Sequence, residues 1–492
     1  MSTIEVNTKD GAVKGQQLNG VSVWKGIPFA KPPVDELRFA APVPPEQWEG
    51  VREAFHFGPE NIQPRHNGTS AEFAAGTFHE SEDCLYLNVW APEAAVTENA
   101  AAPLPVMVWI HGGSFLTGAG SLPLYDGSEL VKRGNVIVVT INYRLGPFGF
   151  LHLAPLGGSF VSNAGLLDQI AALEWVKNNI AAFGGDPAAV TIFGESAGSM
   201  SIAALLAMPK AKGLYNRAIM QSGASQSIAP QQADAIRAGL LQALGISPSE
   251  LDKLRSVPAE QIFAAGEKLK EQAGDRFALL FQPVPDEATL PQTPLEAIQE
   301  GAAADIPLLI GTNLNEGHFF IRPDMPFDDN LDMTKALAFM APDIKNAATA
   351  AAAYPQTSDG QAQMMTEAFF WRSSLQFATA QSEHAPVWMY RFDWVLPEHP
   401  LLNKAIHAIE IFFVFNTLEQ MQNMGVTPDE SMRQLAWRMQ DAWLAFAKQG
   451  APNVENVTWP AYSKPERSTL IFNHSIQVIA DPEAQKRELL EL

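Results

Sequence analysis

Apolar residues along the chain fall into two kinds of run. The first kind is short and unbroken. Val106-Met107-Val108-Trp109-Ile110, Val136-Ile137-Val138-Val139-Thr140-Ile141 and Val190-Thr191-Ile192-Phe193 belong to it. Unbroken, β-branched runs predict strands buried on both faces, as in a sheet covered by helices. Leu85–Trp90, Ala218–Gln221, Ile306–Ile310 and Val387–Phe392 extend the series. The second kind is spaced by three and four residues. After Asp168, the residues Ile170, Leu173, Trp175, Val176 and Ile180 share one helical face, and Gly184-Gly185-Asp186-Pro187 ends the helix. Met200–Met208 and a long segment near 427–448 also read as helices. Strands and helices alternate through the middle of the chain, which predicts an α/β fold with a mainly parallel sheet.

The flanks modify this picture. Asp10-Gly11 between Ile4-Glu5-Val6 and Ala12-Val13-Lys14 is a hairpin signal, so antiparallel edge strands are expected at the N-terminus. Residues 31–80 are rich in Pro, Gly and charge and read as irregular surface. Ala- and Gln-rich helical regions, about 230–300 and 325–383, read as insertions over one end of the sheet. The 492 residues suggest three domains at roughly 150 residues each. No long Ser/Gly-rich linker supports that division, and no fixed repeat appears.

Composition narrows the function. With 33 Lys and Arg against 54 Asp and Glu, the formal charge is −21. That argues against a nucleic-acid binder, which needs a basic face, and favours a soluble monomer through self-repulsion. The single cysteine permits no internal disulfide and no cysteine-rich zinc site. No run approaches the 18 or so apolar residues of a membrane helix, so no membrane association is expected. The first residues carry neither a basic start nor an apolar core, so no secretory leader is expected and a cytoplasmic setting follows. Three sequons, at Asn67, Asn456 and Asn473, are then read as chance.

The candidate chemistry begins at Gly194-Glu195-Ser196-Ala197-Gly198. This G-x-S-x-G motif falls between a strand and a helix, the setting of a nucleophile elbow. A sharp turn there strains the central residue, and glycines two positions away remove the Cβ atoms that would clash. Ser196 is the expected nucleophile. His111-Gly112-Gly113-Ser114-Phe115 follows another strand. The backbone N–H groups of Gly113 and Ser114, with that of Ala197, are the expected oxyanion hole. A phosphate loop is the competing idea, but no G-x-G-x-x-G or GK[ST] is present. In elbow hydrolases the acid and then the histidine follow the serine. The segment Gly311–Arg322 after the strand Ile306–Ile310 holds one carboxylate, Glu316, which is the expected acid. His399 and His407 both lie in the stretch after the strand Val387–Phe392. His407 is preferred because the apolar run Ile411–Phe415 that follows it can exclude water. Acyl transfer by this set needs no metal and no organic cofactor.

Longer motifs connect the chain to a known family. Glu82-Asp83-Cys84-Leu85-Tyr86-Leu87-Asn88-Val89-Trp90 and Phe193–Gly198 resemble the two signatures of type-B carboxylesterases, the group of the cholinesterases and the bacterial para-nitrobenzyl esterases. The bacterial branch looks nearest. Leu37-Arg38-Phe39, Asn142–Gly146 and Asn163–Gln169 agree, so the resemblance covers nearly the whole chain. It implies one α/β-hydrolase catalytic domain over 1–492 and the triad Ser196, Glu316 and His407, since His407-Ala408-Ile409-Glu410 matches the family's His-x-x-Glu. It implies ion pairs Arg38–Glu82 and Arg144–Asp168, and a buried polar network of Glu195, Ser222 and Glu410 behind the triad. Two departures stand out. Cys84 lacks the disulfide partner of secreted relatives, and Ser114 replaces a smaller residue in the oxyanion loop.

The expected activity is hydrolysis of small to medium carboxylic esters, with a small-molecule ester as the partner and a monomer or an oligomer both open. Other acyl hydrolysis on the same residues (amide, lactone or carbamate) is the alternative, and a non-catalytic cholinesterase-like binding module is a further one. Phe115, Phe319, Trp388 and Trp394 are candidates for an acyl pocket, with core packing as the commoner role for each, and His66–His79 is a candidate rim of the site or an ordinary exposed loop.

Overall fold

The computed structural model describes residues 2–64, 79–96, 102–273, 279–322, 325–328 and 331–492. The stretch His66–His79 lies outside them except for His79, as does the sequon at Asn67.

Thirteen strands form one sheet among the described residues. They are β1 (Ser2–Asn7), β2 (Ala12–Leu18), β3 (Val21–Pro28), β4 (Val51–Glu53), β5 (Tyr86–Pro92), β6 (Leu104–Ile110), β7 (Ile137–Ile141), β8 (Gly185–Glu195), β9 (Arg217–Gln221), β10 (Leu308–Asn313), β11 (Val387–Phe392), β12 (Ser468–Phe472) and β13 (Gln477–Ala480). Their spatial order is β1-β2-β3-β5-β7-β6-β8-β9-β10-β11-β12-β13, with β4 paired to β2. The run from β7 to β12 is parallel throughout. The strands β1, β2, β3 and β5 join it antiparallel, from the β1–β2 hairpin to the β5–β7 pair, and β4 pairs parallel to β2.

The unbroken apolar runs explain why the middle strands are central. Along β6, Val106, Val108 and Ile110 feed one core, while Met107 and Trp109 feed the other. Period-two alternation therefore serves two cores only when both faces are covered. The helices Ala164–Asn179 and Ala197–Ala207 cover the first face. The helices Ser128–Gly134 and Glu430–Gln449 cover the second.

Some boundaries and one strand pair differ from the sequence reading. The helix read after Asp168 starts earlier, at Ala164, and Asp168 is buried within it. The helix after the elbow starts at Ala197, directly after Ser196. The strands β12 and β13 close the far end of the sheet as an unforeseen antiparallel pair. Among the described residues no helix is long and apolar enough to cross a membrane.

Helices also occupy the two Ala- and Gln-rich regions. Pro230–Ala243 and Ala259–Ala273 lie in the first. Met333–Met340, Ser358–Met365 and Arg372–Ser382 lie in the second, with a π-helical turn at Thr366–Trp371.

Candidate active site

The parallel block brings the candidate chemistry to one edge. Ser196 follows β8, His111-Gly112-Gly113 follows β6, Ser222 follows β9, Glu316 follows β10, and His407 lies in the connection after β11. All five lie beyond the C-terminal ends of their strands, where open α/β sheets bind ligands.

Ser196 has φ 54° and ψ −122°, a conformation that L-residues rarely adopt. Close packing forces it. A Cβ on Gly194 would stand 2.6 Å from the Ile110 carbonyl oxygen, and one on Gly198 would meet the same oxygen still closer. The elbow is pinned from beside by Ser196 N–H donating to Gln221 O at 2.9 Å. The glycine loop after β6 abuts it, since a Cβ on Gly112 would lie 3.0 Å from Ser196 Cβ. Gly113, Ser114 and Phe115 then take φ of 111°, 57° and 58° in succession. Among the described residues nothing accepts from the N–H of Gly113, Ser114 or Ala197. Free N–H groups beside a strained serine suit an incoming oxyanion.

Glu316 and His407 meet as a buried pair, with His407 Nδ1 2.7 Å from Glu316 Oε2. The other Glu316 oxygen accepts from Asn313 N–H at 2.7 Å. The far side of the imidazole faces Glu195: Nε2 lies 3.1 Å from Oε1, without the alignment of a hydrogen bond. Ser196 Oγ makes no hydrogen bond to the described residues, so the serine–histidine bond is not formed in this conformation. Burial alone would lower the His407 pKa, but the carboxylates of Glu195, Glu316 and Glu410 outweigh it and raise the pKa to about 9. Burial pushes Glu195 well above the usual carboxylate range. Glu410 is raised to about 7, by burial and then by the charge of Glu316.

The polar residues behind this pair are wired differently from the sequence reading. Glu410 accepts from Gln221 Nε2 at 3.1 Å and from Asn313 Nδ2 at 2.6 Å. Trp443 Nε1 donates to Gln221 Oε1 at 3.0 Å. The buried Ser222 hydroxyl has no partner among the described residues. Asn313, Gln221 and Trp443 went unnoticed in the sequence, and no local motif marks them. His399 accepts from the N–H of Leu402 at 3.0 Å and ties its own turn to the Met424 carbonyl.

Of the four candidate aromatics, Phe319 alone stands against the imidazole, 5.9 Å between centroids. Trp388 packs on Phe446 and Trp394 on Phe413, in the core on the second face. Phe115 packs on Phe150. Phe320 and Phe370 are nearer to His407, at 5.2 and 4.8 Å. Both expected ion pairs are present. Arg144 grips Asp168 through Nε and Nη2 at 2.8 and 2.7 Å. Arg38 grips Glu82, with Nε at 2.7 Å, and also reaches the carbonyls of Arg255 and Val257. Cys84 is buried and unpaired.

A strained serine, a buried carboxylate–imidazole pair and free N–H groups on one sheet edge are the equipment of an acyl hydrolase. The Carboxylesterase family model matches residues 2–489, and the chain belongs to that family. It has the α/β-hydrolase fold and is a carboxylic ester hydrolase. It is 50% identical over 487 residues to the para-nitrobenzyl esterase of Bacillus subtilis (strain 168), covering 99% of this chain and 98% of that one. It is 34% identical to a phenmedipham hydrolase of Pseudarthrobacter oxydans over 94% of both chains. A solved thermophilic para-nitrobenzyl esterase superposes with TM-score 0.94 over 99% of both chains, at 49% identity.

Proposed function

We propose that the chain hydrolyses small to medium carboxylic esters through an acyl-enzyme on Ser196. The observation that carries this reading is the buried 2.7 Å contact between His407 and Glu316, on the same sheet edge as the strained Ser196. When an ester binds, His407 Nε2 leaves Glu195 and takes the Ser196 Oγ proton. The oxygen attacks the ester carbonyl, and the oxyanion settles on the N–H groups of Gly113, Ser114 and Ala197. The imidazolium returns the proton to the leaving alcohol, and the acyl group remains on Ser196. Water then attacks the acyl-enzyme: His407 takes a proton from the water, the water oxygen bonds to the acyl carbon, and the imidazolium returns the proton to Ser196 Oγ as that oxygen leaves, which releases the carboxylic acid and restores the serine. Glu316 orients the ring and stabilises its charged form. Glu195, beside Nε2, and Glu410, behind the pair, tune that charge.

Ser196→Ala tests the reading. The folded variant is expected to lose turnover of a p-nitrophenyl ester by several orders of magnitude; a retained rate overturns the assignment. Similarity to a protein named phenmedipham hydrolase favours trying other acyl substrates on the same residues. Comparing an ester with its matched amide and carbamate separates those activities. One catalytic domain and a cytoplasmic setting belong to the same reading. The unbroken family match over 2–489 supports the first and the partnerless Cys84 the second.

A further inference from the structure

We propose that Thr366 is a positioning residue for the acid of the triad: its hydroxyl, on the π-helical turn Thr366–Trp371, holds the backbone of the Glu316 turn. The proposal rests on the reading of Glu316 as the acid.

Thr366 Oγ1 stands 2.9 Å from the Ala362 carbonyl and 2.9 Å from the N–H of Gly317. A hydroxyl has one proton and two lone pairs. The proton goes to Ala362 O, within its own helix, and a lone pair receives Gly317 N–H from outside it. The first bond is common for a helical threonine. The second leaves the helix and lands one residue beyond Glu316. The two segments approach closely, since a Cβ on Gly317 would collide with the Ala362 carbonyl. Gly317 is buried, so its N–H has no water to turn to if the hydroxyl is removed.

The Thr366 turn is itself fixed from the far side. Glu367 is buried and held by Tyr354 OH and Lys486 Nζ, both at 2.8 Å. Arg372, directly after the turn, pairs with Asp343 through both terminal nitrogens at 2.8 Å and reaches the Leu490 carbonyl at 3.1 Å. A hydroxyl on so well-anchored a turn can set the place of what it touches. Single π turns inside α-helices occur often at functional sites. This one carries Phe370, whose ring lies 4.8 Å from that of His407 and stacks at 14° on Phe320 from the Glu316 turn. The insertion thus touches both partners of the acid–base pair, the acid through Thr366 and the imidazole through Phe370.

Thr366→Val keeps the shape and removes the acceptor. The expected result has three parts. First, kcat falls about tenfold, the effect of one misplaced buried hydrogen bond. Second, KM for a small ester stays unchanged. Third, the acid limb of the pH profile moves to lower pH, because a displaced Glu316 stabilises the His407 imidazolium less. Thr366→Ser keeps the acceptor and retains both rate and limb. Wild-type kcat and limb position in Thr366→Val overturn the proposal, as does a loss without a limb shift or an equal loss in both variants. Should Thr366→Val fail to fold, Thr366→Ala removes the acceptor without bulk and is read by the same criteria. Glu316→Gln runs alongside. If it retains full rate, the reading of the acid fails and the proposal with it; if it loses rate while Thr366→Val does not, only the proposal fails.

Discussion

Two ion pairs in this protein have nearly the same geometry and opposite settings. Arg144 and Asp168 join through contacts of 2.8 and 2.7 Å, with side chains 2% and 0% exposed. Arg133 and Asp441 join through two contacts of 2.7 Å, with side chains 33% and 47% exposed. Asp168→Asn leaves a buried guanidinium without its counter-charge, at a cost of about 3–5 kcal/mol. Burial pushes the Asp168 pKa up and Arg144 pulls it back, so the desolvation penalty has been met only by the partner. Asp441→Asn removes a solvated contact worth about 0–1 kcal/mol. With an unfolding entropy of roughly 2.1 cal/mol/K per residue, 492 residues give about 1 kcal/mol/K. The expected drop in Tm is therefore about 3–5 °C for Asp168→Asn and about 1 °C or less for Asp441→Asn. Scanning calorimetry of both variants at one scan rate measures the contrast. Replacing both members by apolar residues, Arg144→Met with Asp168→Leu, should recover most of the loss, because no uncompensated charge remains. Equal Tm shifts for the two single variants would refute the claim that burial, and not contact geometry, sets the energy.

Two further outcomes follow from the site. Glu195 is the leading cause that raises the His407 pKa, so the rate on the acid side is limited by an imidazolium that gives up its proton late. Glu195→Gln removes that carboxylate and should move the acid limb of kcat/KM to lower pH; an unmoved limb contradicts the electrostatic account. Gly198→Ala places a methyl group on the Ile110 carbonyl and displaces the elbow, and displacement by about 1 Å can cost on the order of 100-fold in rate. A near-wild-type esterase rate in that variant would show that the elbow tolerates a methyl group against the Ile110 carbonyl.

The parts of the structure legible in the sequence are those with a local cause. Unbroken β-branched runs announced β6, β7 and β8, because burial on both faces leaves no polar alternation. The elbow was legible because two glycines and one serine satisfy a steric demand within five residues. Glu316 was legible by elimination, as the one carboxylate after its strand. Other features have only distant causes. Asn313 joins the Glu316 turn to Glu410, 97 positions later, and nothing near it in the sequence says so. Phe370 reaches His407 from a turn whose extra residue leaves no compositional mark. Trp388 and Trp394 stayed open between pocket and core for the same reason: size and polarity qualify a tryptophan for either, and only packing decides.

The central claim is that the acyl group passes through Ser196. Mixing the enzyme with excess p-nitrophenyl acetate, quenching in acid within the first turnover and sequencing the peptides by mass spectrometry tests it most directly. The account predicts one acetyl group per chain, on Ser196, released over time at neutral pH and absent from Ser196→Ala. Full turnover with no label on Ser196, or a label on another residue that forms and decays at the catalytic rate, would contradict it.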